Sequence, residues 1–373
     1  MKSTACETLV RKTLSDADIQ TNGERPWDIQ VNNDQFYKAL VNGGSLSLGE
    51  TYMDGWWDCQ SLDQLFDRLL RIRLDQKAGS SLAAFWVKFN ARLKLSTGWF
   101  RPGAIGRRHY DLGNDLFSLM LDKWMNYSCG YWKQARDLEG AQENKMAVIC
   151  KKLKLAPGMT VLDIGCGWGG LAAYMAEHFG ACVTGVTVSK EQARLAQDRC
   201  KDLSATIKLM DYRDLEEKFD RVVSVGMFEH VGVGRYERFM KTVRNSLNPH
   251  GLFLLHTIGG NRTRRCSDPW ISRYIFPNSM LPSSRQITSA SEPYLMLEDW
   301  HSFGPDYDPT LMAWHRNFTR GWDRIKNRYG NRFFRMWTYY LLACAGSFRA
   351  RRNQLWQIVF SRDGFYPGYK SER

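Results

Sequence analysis

Hydrophobic and polar positions change period along this chain, and the change divides it into two kinds of structure. Between Pro26 and Gln76 short helical patterns dominate. Trp27–Val31 reads as extended, the spacing over Asp34–Leu40 predicts a helix closing at Gly43-Gly44, and a glycine-bounded aromatic stretch runs from Leu48 to Trp57. Leu62, Leu65, Phe66 and Leu69 then recur at helical spacing behind Ser61, a good N-cap residue. Together they predict a small, mostly helical domain. Phe85–Lys94 places Phe85, Phe89 and Arg92 or Leu93 at three- and four-residue steps among basic residues; such a helix suits a bilayer surface or an aromatic face packed on its own core. Thr97–Arg108, with Gly98, Pro102, Gly103 and Gly106, reads as a linker.

From Met159 onward strand and helix patterns alternate, the signature of a parallel sheet covered on both faces. Strands are expected at Thr160–Ile164, Cys182–Val186, Ile207–Met210, Asp220–Val225 and Leu252–Thr257, and helices at 168–179, 189–201 and 234–247. Gln354–Phe360 is a plausible closing strand. Asn261–Ser291 breaks the rhythm with Arg262, Arg264, Arg265, Trp270, Tyr274 and Phe276; it is too long for an ordinary loop and reads as a lid or substrate segment within about 260–291. The expected division is therefore a helical domain over 1–96, a linker over 97–108 and an α/β domain over 109–373.

Composition narrows the class. At 373 residues, 43% hydrophobic and 13% aromatic, the chain has ample material for two packed cores and excludes low-complexity disorder. Its 52 Lys+Arg against 39 Asp+Glu leave a formal charge of +13, which leaves anionic membranes, nucleic acid, acidic substrates or plain solvation open. Met1–Thr13 has no apolar signal core, and no run is long and apolar enough to span a bilayer, so neither export nor insertion is expected. Nine cysteines, an odd number without a CxxC pair, fit reduced thiols in the cytoplasm.

The most specific local signal is Val161-Leu162-Asp163-Ile164-Gly165-Cys166-Gly167-Trp168-Gly169-Gly170, a strand entering a glycine turn and then a helix. Residues without side chains let the backbone approach a ligand closely. The spacing D-x-G-x-G-x-G, with no acidic residue ending the second strand at Gly185–Ser189, argues against a dinucleotide. It resembles motif one of class I S-adenosylmethionine methyltransferases. That resemblance implies Asp163, Gly165, Gly167 and Gly169 around the amino acid end of the cofactor, and Thr187 and Gln192 as neutral partners of the ribose. Asp211, Tyr212, Arg213 and Asp214 border the adenine or form a solvated turn.

Over almost its whole length the chain resembles the cyclopropane-fatty-acyl-phospholipid synthase family. The resemblance is carried by Ser45–Trp57, His109–Phe117, Tyr127–Trp132, the glycine turn, Gly226–Gly232, Leu254–Gly259 and Asp306–Asp308; Gly130 stands where relatives usually have Ala. It implies a Rossmann-like seven-stranded sheet with a small helical N-terminal domain. The implied activity is transfer of a methylene from S-adenosylmethionine to the cis double bond of unsaturated acyl chains in membrane phospholipids. It further implies a bound bicarbonate as base, held by Cys129, Glu229, His256, Tyr307 and the backbone N–H of Ile258, and no metal. Tyr127 and Ser128 are then contacts to the cofactor's methionine end. Tyr131, Trp132, Phe228, Trp270 and Tyr274 are candidates to line an acyl tunnel, with core packing the rival for each. A peripheral place on the anionic inner face of the cytoplasmic membrane is expected, and the resemblance implies a homodimer. Methylation of a small amine is disfavoured because an amine needs no base for a carbocation. An RNA methyltransferase is disfavoured for want of an Asn-Pro-Pro-Tyr-type motif, so no nucleic-acid partner is expected.

Overall fold

A computed structural model describes residues 3–73, 113–264 and 266–373. The expected helix at Phe85–Lys94, the linker 97–108, His109–Leu112 and Arg265 lie outside the described residues. The described chain forms two compact units: one takes residues 3–73, Asp268–Pro277 and Phe318–Arg352, the other 113–267, Asn278–Asn317 and Asn353–Arg373.

The first unit is helical, with one two-stranded ribbon of β1 (Gln30–Val31) and β2 (Trp57–Asp58). Helix Gln35–Met53 does not stop at Gly43-Gly44: Gly44, at φ +55°, kinks it, and the aromatic stretch Leu48–Met53 continues it. Helix Leu62–Arg71 forms as expected, although Ser61 makes no side-chain cap bond. Helix Lys326–Arg349 joins this unit because its buried face, with Trp337, Tyr339, Leu341 and Phe348, packs on those two helices. Small residues set the spacing: a Cβ on Gly346 would lie 2.6 Å from the Asp63 carbonyl, and one on Gly49 2.3 Å from the Trp270 ring. Trp270 is therefore core here, against Tyr339 at 4.5 Å, and Tyr274 bonds Glu50 at 2.8 Å.

The second unit is a sheet of seven strands in the order β5-β4-β3-β6-β7-β9-β8. They span Thr160–Ile164 (β3), Cys182–Thr187 (β4), Ala205–Leu209 (β5), Phe219–Val225 (β6), Leu247–Gly259 (β7), Met296–Ser302 (β8) and Gln354–Ser361 (β9). β3 to β7 are parallel, and β9 runs against both β7 and β8. Alternate residues feed two cores. Val161, Leu252, Leu254 and Val359 meet helices Leu138–Lys152 and Gly170–Phe179 on one face; Leu162, Phe253, Leu255 and Phe360 meet Phe239, Val243 and Ile287 on the other. Each such buried side chain contributes roughly 1.5–3 kcal/mol. Strand order reverses between β3 and β6, opening a crevice beyond their carboxyl ends. The second half of the lid-like segment is fastened there: Met280 N–H donates to the Glu229 carbonyl at 2.8 Å and Gly260 N–H to that of Pro282 at 2.9 Å.

Candidate active site

β3 ends in the glycine turn. Gly165, Gly167 and Gly169 have φ of +82°, +55° and +78°, which residues with a Cβ adopt only under strain. The N–H groups of Gly165 and Cys166 both donate to the Val186 carbonyl at 3.0 Å, fixing the turn against β4. The glycines differ in what surrounds them. A Cβ on Gly169 would come within 2.9 Å of Ala196, whereas one on Gly167 would meet nothing within 4 Å. Gly167 thus faces open space at the crevice, as a backbone that receives a ligand must.

Around this turn, Asp163 is buried with Oδ2 unpaired, and desolvation pushes its carboxyl up to about 7 while Lys145 pulls it down. Lys145, itself buried and lowered to about 8, donates to Ser128 Oγ at 2.8 Å. The Tyr127 ring lies 5.1 Å from Phe117 and 5.2 Å from Trp314. Thr187 and Gln192 face each other: the Thr187 hydroxyl donates to Gln192 Oε1 at 3.1 Å and accepts from Ser189 N–H at 3.2 Å. Asp211 caps the turn Tyr212–Asp214 and holds Arg213 through Nε at 2.8 Å, so these two bind one another, while Tyr212 packs edge-on to Phe239 at 5.4 Å.

A second cluster stands at the ends of β6 and β7. Glu229 follows β6 in a short 3-10 turn and is 5% exposed. Its Oε1 accepts the Ile258 N–H at 2.7 Å; its Oε2 has no protein partner. Burial pushes this carboxyl up to about 7, with its own backbone N–H, then the Ile258 N–H and the Thr257 hydroxyl, pulling the other way. His256 and Ile258, two apart on β7, share a face. His256 is 1% exposed, its Nδ1 lies 3.3 Å from Gln357 Nε2, and its Nε2 has no protein partner. Burial and then the Lys145 and Lys152 charges hold it well below the ordinary histidine range, so the ring is neutral. The Ile258 N–H and the Glu229 carboxylate thus stand together, the first orienting the second.

Cys129 is wholly buried, with Sγ 3.2 Å from the Gly130 carbonyl and 3.8 Å from Thr310 Oγ1. Desolvation, with Asp306 nearby, raises its thiol far above the ordinary value, so it stays a neutral thiol. Tyr307 begins helix Tyr307–Gly321, buried and edge-on to Trp314 at 6.1 Å. Thr310, unforeseen in the sequence, ties this helix to the cysteine: it accepts Gly130 N–H at 3.1 Å and Trp132 Nε1 at 2.8 Å and donates to the Asp306 carbonyl at 2.8 Å. Of the tunnel candidates, Phe228 is core, stacked on Tyr236 at 4.3 Å, whereas Tyr131 contacts Phe303 at 5.2 Å and Phe303 contacts His256 at 5.9 Å. Phe303, Lys152, Gln357 and His301 were also missed; a single amide in the apolar run Leu355–Phe360 was the one sequence signal.

The parallel sheet with one reversed strand, the left-handed glycine turn and the crevice at the order reversal define a class I S-adenosylmethionine-dependent methyltransferase. Solved relatives have this fold. The cyclopropane synthase MmaA2 from Mycobacterium tuberculosis is 31% identical and superposes with a TM-score of 0.64 over 68% of this chain and 96% of that one. Mycolic acid cyclopropane synthase CmaA1, crystallised with SAH and CTAB, is 31% identical with a TM-score of 0.66 over 70% and 99%. The chain belongs to the mycolic acid cyclopropane synthetase family, which it matches over residues 102–358. Among curated relatives, the cyclopropane-fatty-acyl-phospholipid synthase of Escherichia coli (strain K12) is 54% identical over 354 residues, 95% of this chain and 93% of that protein.

Proposed function

We propose that this enzyme converts the cis double bond of unsaturated acyl chains in membrane phospholipids to a cyclopropane, with a bound bicarbonate as the base. The substrate class follows from the likeness to the Escherichia coli phospholipid synthase over 95% of the chain. One observation carries the chemistry: an unpaired acceptor, Glu229 Oε2, and an unpaired histidine nitrogen, His256 Nε2, both buried, at neighbouring strand ends. A small ion carrying both an acceptor and a hydroxyl hydrogen satisfies both.

S-adenosylmethionine supplies an electrophilic methyl; the unpaired Asp163 Oδ2 and the space beside Gly167 suit its polar end. The alkene attacks that methyl and is left as a carbocation, which closes to the ring once the new methyl loses a proton. Bicarbonate supplies the base. Glu229, held by the Ile258 N–H, takes the ion's hydroxyl hydrogen bond and turns an anionic oxygen toward the cation; His256 and Tyr307 donate to its other oxygens. The neutral Cys129 thiol fills its side of the site without offering a thiolate that would trap the cation.

We place the enzyme as a homodimer at the inner face of the cytoplasmic membrane, on anionic lipid. No helix among the described residues is long and apolar enough to cross a membrane. Exposed Arg320, Arg324, Lys326 and Arg328 alternate with half-buried Trp322 and Tyr329, a composition suited to an anionic surface. The test is mass spectrometry of vesicles containing mono-unsaturated phosphatidylglycerol after incubation with enzyme and S-adenosylmethionine. Those chains should gain the mass of one CH2, and high salt should slow the reaction because exposed charges are screened over ~8–10 Å. Unmodified lipid beside a methylated amine or RNA would refute the assignment.

A further inference from the structure

The face of the sheet behind the base site carries a polar row where an apolar one would pack. His256 on β7 lies opposite Gln357 on β9, and Gln357 lies opposite His301 on β8. The same-face neighbours Leu254 and Val359 belong to the hydrophobic core. Lys152, the last residue of helix Leu138–Lys152, comes down on this row: its Nζ is 2.8 Å from Gln357 Oε1 and 2.8 Å from His301 Nδ1. Lys152 and Gln357 are both fully buried. Burying an amine and an amide is unfavourable unless each is bonded, and an apolar pair would serve packing better.

The bonds have a direction. An ammonium has donors only, so the amide end turned to Lys152 is the carbonyl oxygen. The NH2 end is thereby turned to His256 Nδ1, 3.3 Å away, and an amide N–H can only donate. Nδ1 must accept, so the proton of the neutral ring sits on Nε2, the nitrogen that no protein group meets. We propose that Lys152 and Gln357 are positioning residues that lock His256 in the Nε2–H form, so that it presents a donor to the anion at the base site. This rests on the base-site reading above, and the orientation does not. The charge on Lys152 also disfavours a second proton on His256. Burial lowers Lys152 itself to about 7, with Asp299 pulling it up, and its amine form keeps N–H groups for the same carbonyl.

Nitrogen NMR of histidine-labelled full-length enzyme, with His256 assigned by the signal lost in His256→Gln, tests this directly. The wild type should show a protonated Nε2 and an unprotonated, hydrogen-bonded Nδ1. Gln357→Glu keeps the shape and pairs with Lys152, yet its carboxylate accepts from Nδ1–H and should reverse the tautomer. Its kcat should then fall roughly ten- to hundredfold, the loss typical of an outer partner of a functional histidine, at unchanged KM for phospholipid and unchanged affinity for S-adenosylhomocysteine. Gln357→Met should give a mixture of tautomers and a smaller loss. A wild-type His256 protonated on Nδ1, or a tautomer-reversed Gln357→Glu with wild-type kcat, would overturn the proposal. Wild-type activity indifferent to bicarbonate, with the Nε2–H form intact, would instead overturn the base-site reading alone.

Discussion

The glycine turn after β3 and the polar pocket at the ends of β6 and β7 stand at one edge of one sheet and are built in opposite ways. The turn is made by leaving side chains out: Gly165, Gly167 and Gly169 hold left-handed backbone, and Gly167 borders empty space. The pocket is made by burying charged and polar side chains and leaving one atom of each unpaired, Glu229 Oε2 and His256 Nε2. Damage to the first should therefore appear in binding and be insensitive to pH. Damage to the second should appear in turnover and in the pH dependence of stability.

The largest effect is expected at Glu229. Glu229→Gln keeps the size of the side chain and its bond from Ile258 but loses the charge proposed to orient the base. Methyl transfer should slow by roughly two orders of magnitude or more, the range for a lost acid–base group, while calorimetry with S-adenosylhomocysteine stays at the wild-type value. Normal turnover by this variant would erase the distinction between turn and pocket. Gly167→Val should do the reverse. With no atom within 4 Å of its Cβ, it should lose only the ~1–2 kcal/mol of backbone strain in stability, yet weaken S-adenosylhomocysteine by at least about tenfold. Unchanged affinity in the folded variant would remove the turn from the site.

What the sequence made legible follows the same division. β3, β4, β6, β7 and β9 read clearly because strands buried on both faces appear as apolar runs, and the turn because three glycines at fixed spacing have few other uses. β8, Met-Leu-Glu-Asp-Trp-His-Ser, was not read: at the sheet edge it mixes charge with exposed Met296 and Leu297. The helix across Gly44 was cut short because glycine marks both kinks and ends. The proposal of Cys129, Glu229, His256 and Tyr307 as one site rests on family resemblance, since the four lie far apart in sequence. Lys152 stayed hidden in the basic run Lys151–Lys154, where a solvated charge and a buried one look alike; only its bonds to Gln357 and His301 across the sheet face single it out.

A smaller effect sharpens the comparison through stability. Burial raises the Glu229 carboxyl from 4.5 to about 7 in the folded chain. A group whose folded pKa is raised favours folding fully below its unfolded value, and that contribution is lost as pH climbs through about 7. Glu229→Gln has no such titration. Its melting temperature relative to wild type should therefore rise between pH ~5 and pH ~8 by an amount worth on the order of 2 kcal/mol, while the cost of its unpaired amide hydrogens lowers both ends of that range alike. Gly167→Val should show no such pH-dependent difference. A flat comparison at Glu229 would mean that its carboxylate is not desolvated as described.

The central claim, that the two unpaired atoms hold an exchangeable anion acting as base, is tested most directly by the rate of cyclopropane formation on unsaturated phospholipid vesicles. The assay compares buffer rigorously freed of carbon dioxide with the same buffer after bicarbonate is restored. The wild type should slow in the first, recover saturably in the second, and Glu229→Gln should recover poorly. A wild-type rate that is the same with and without bicarbonate would contradict the account and move the base to a protein side chain.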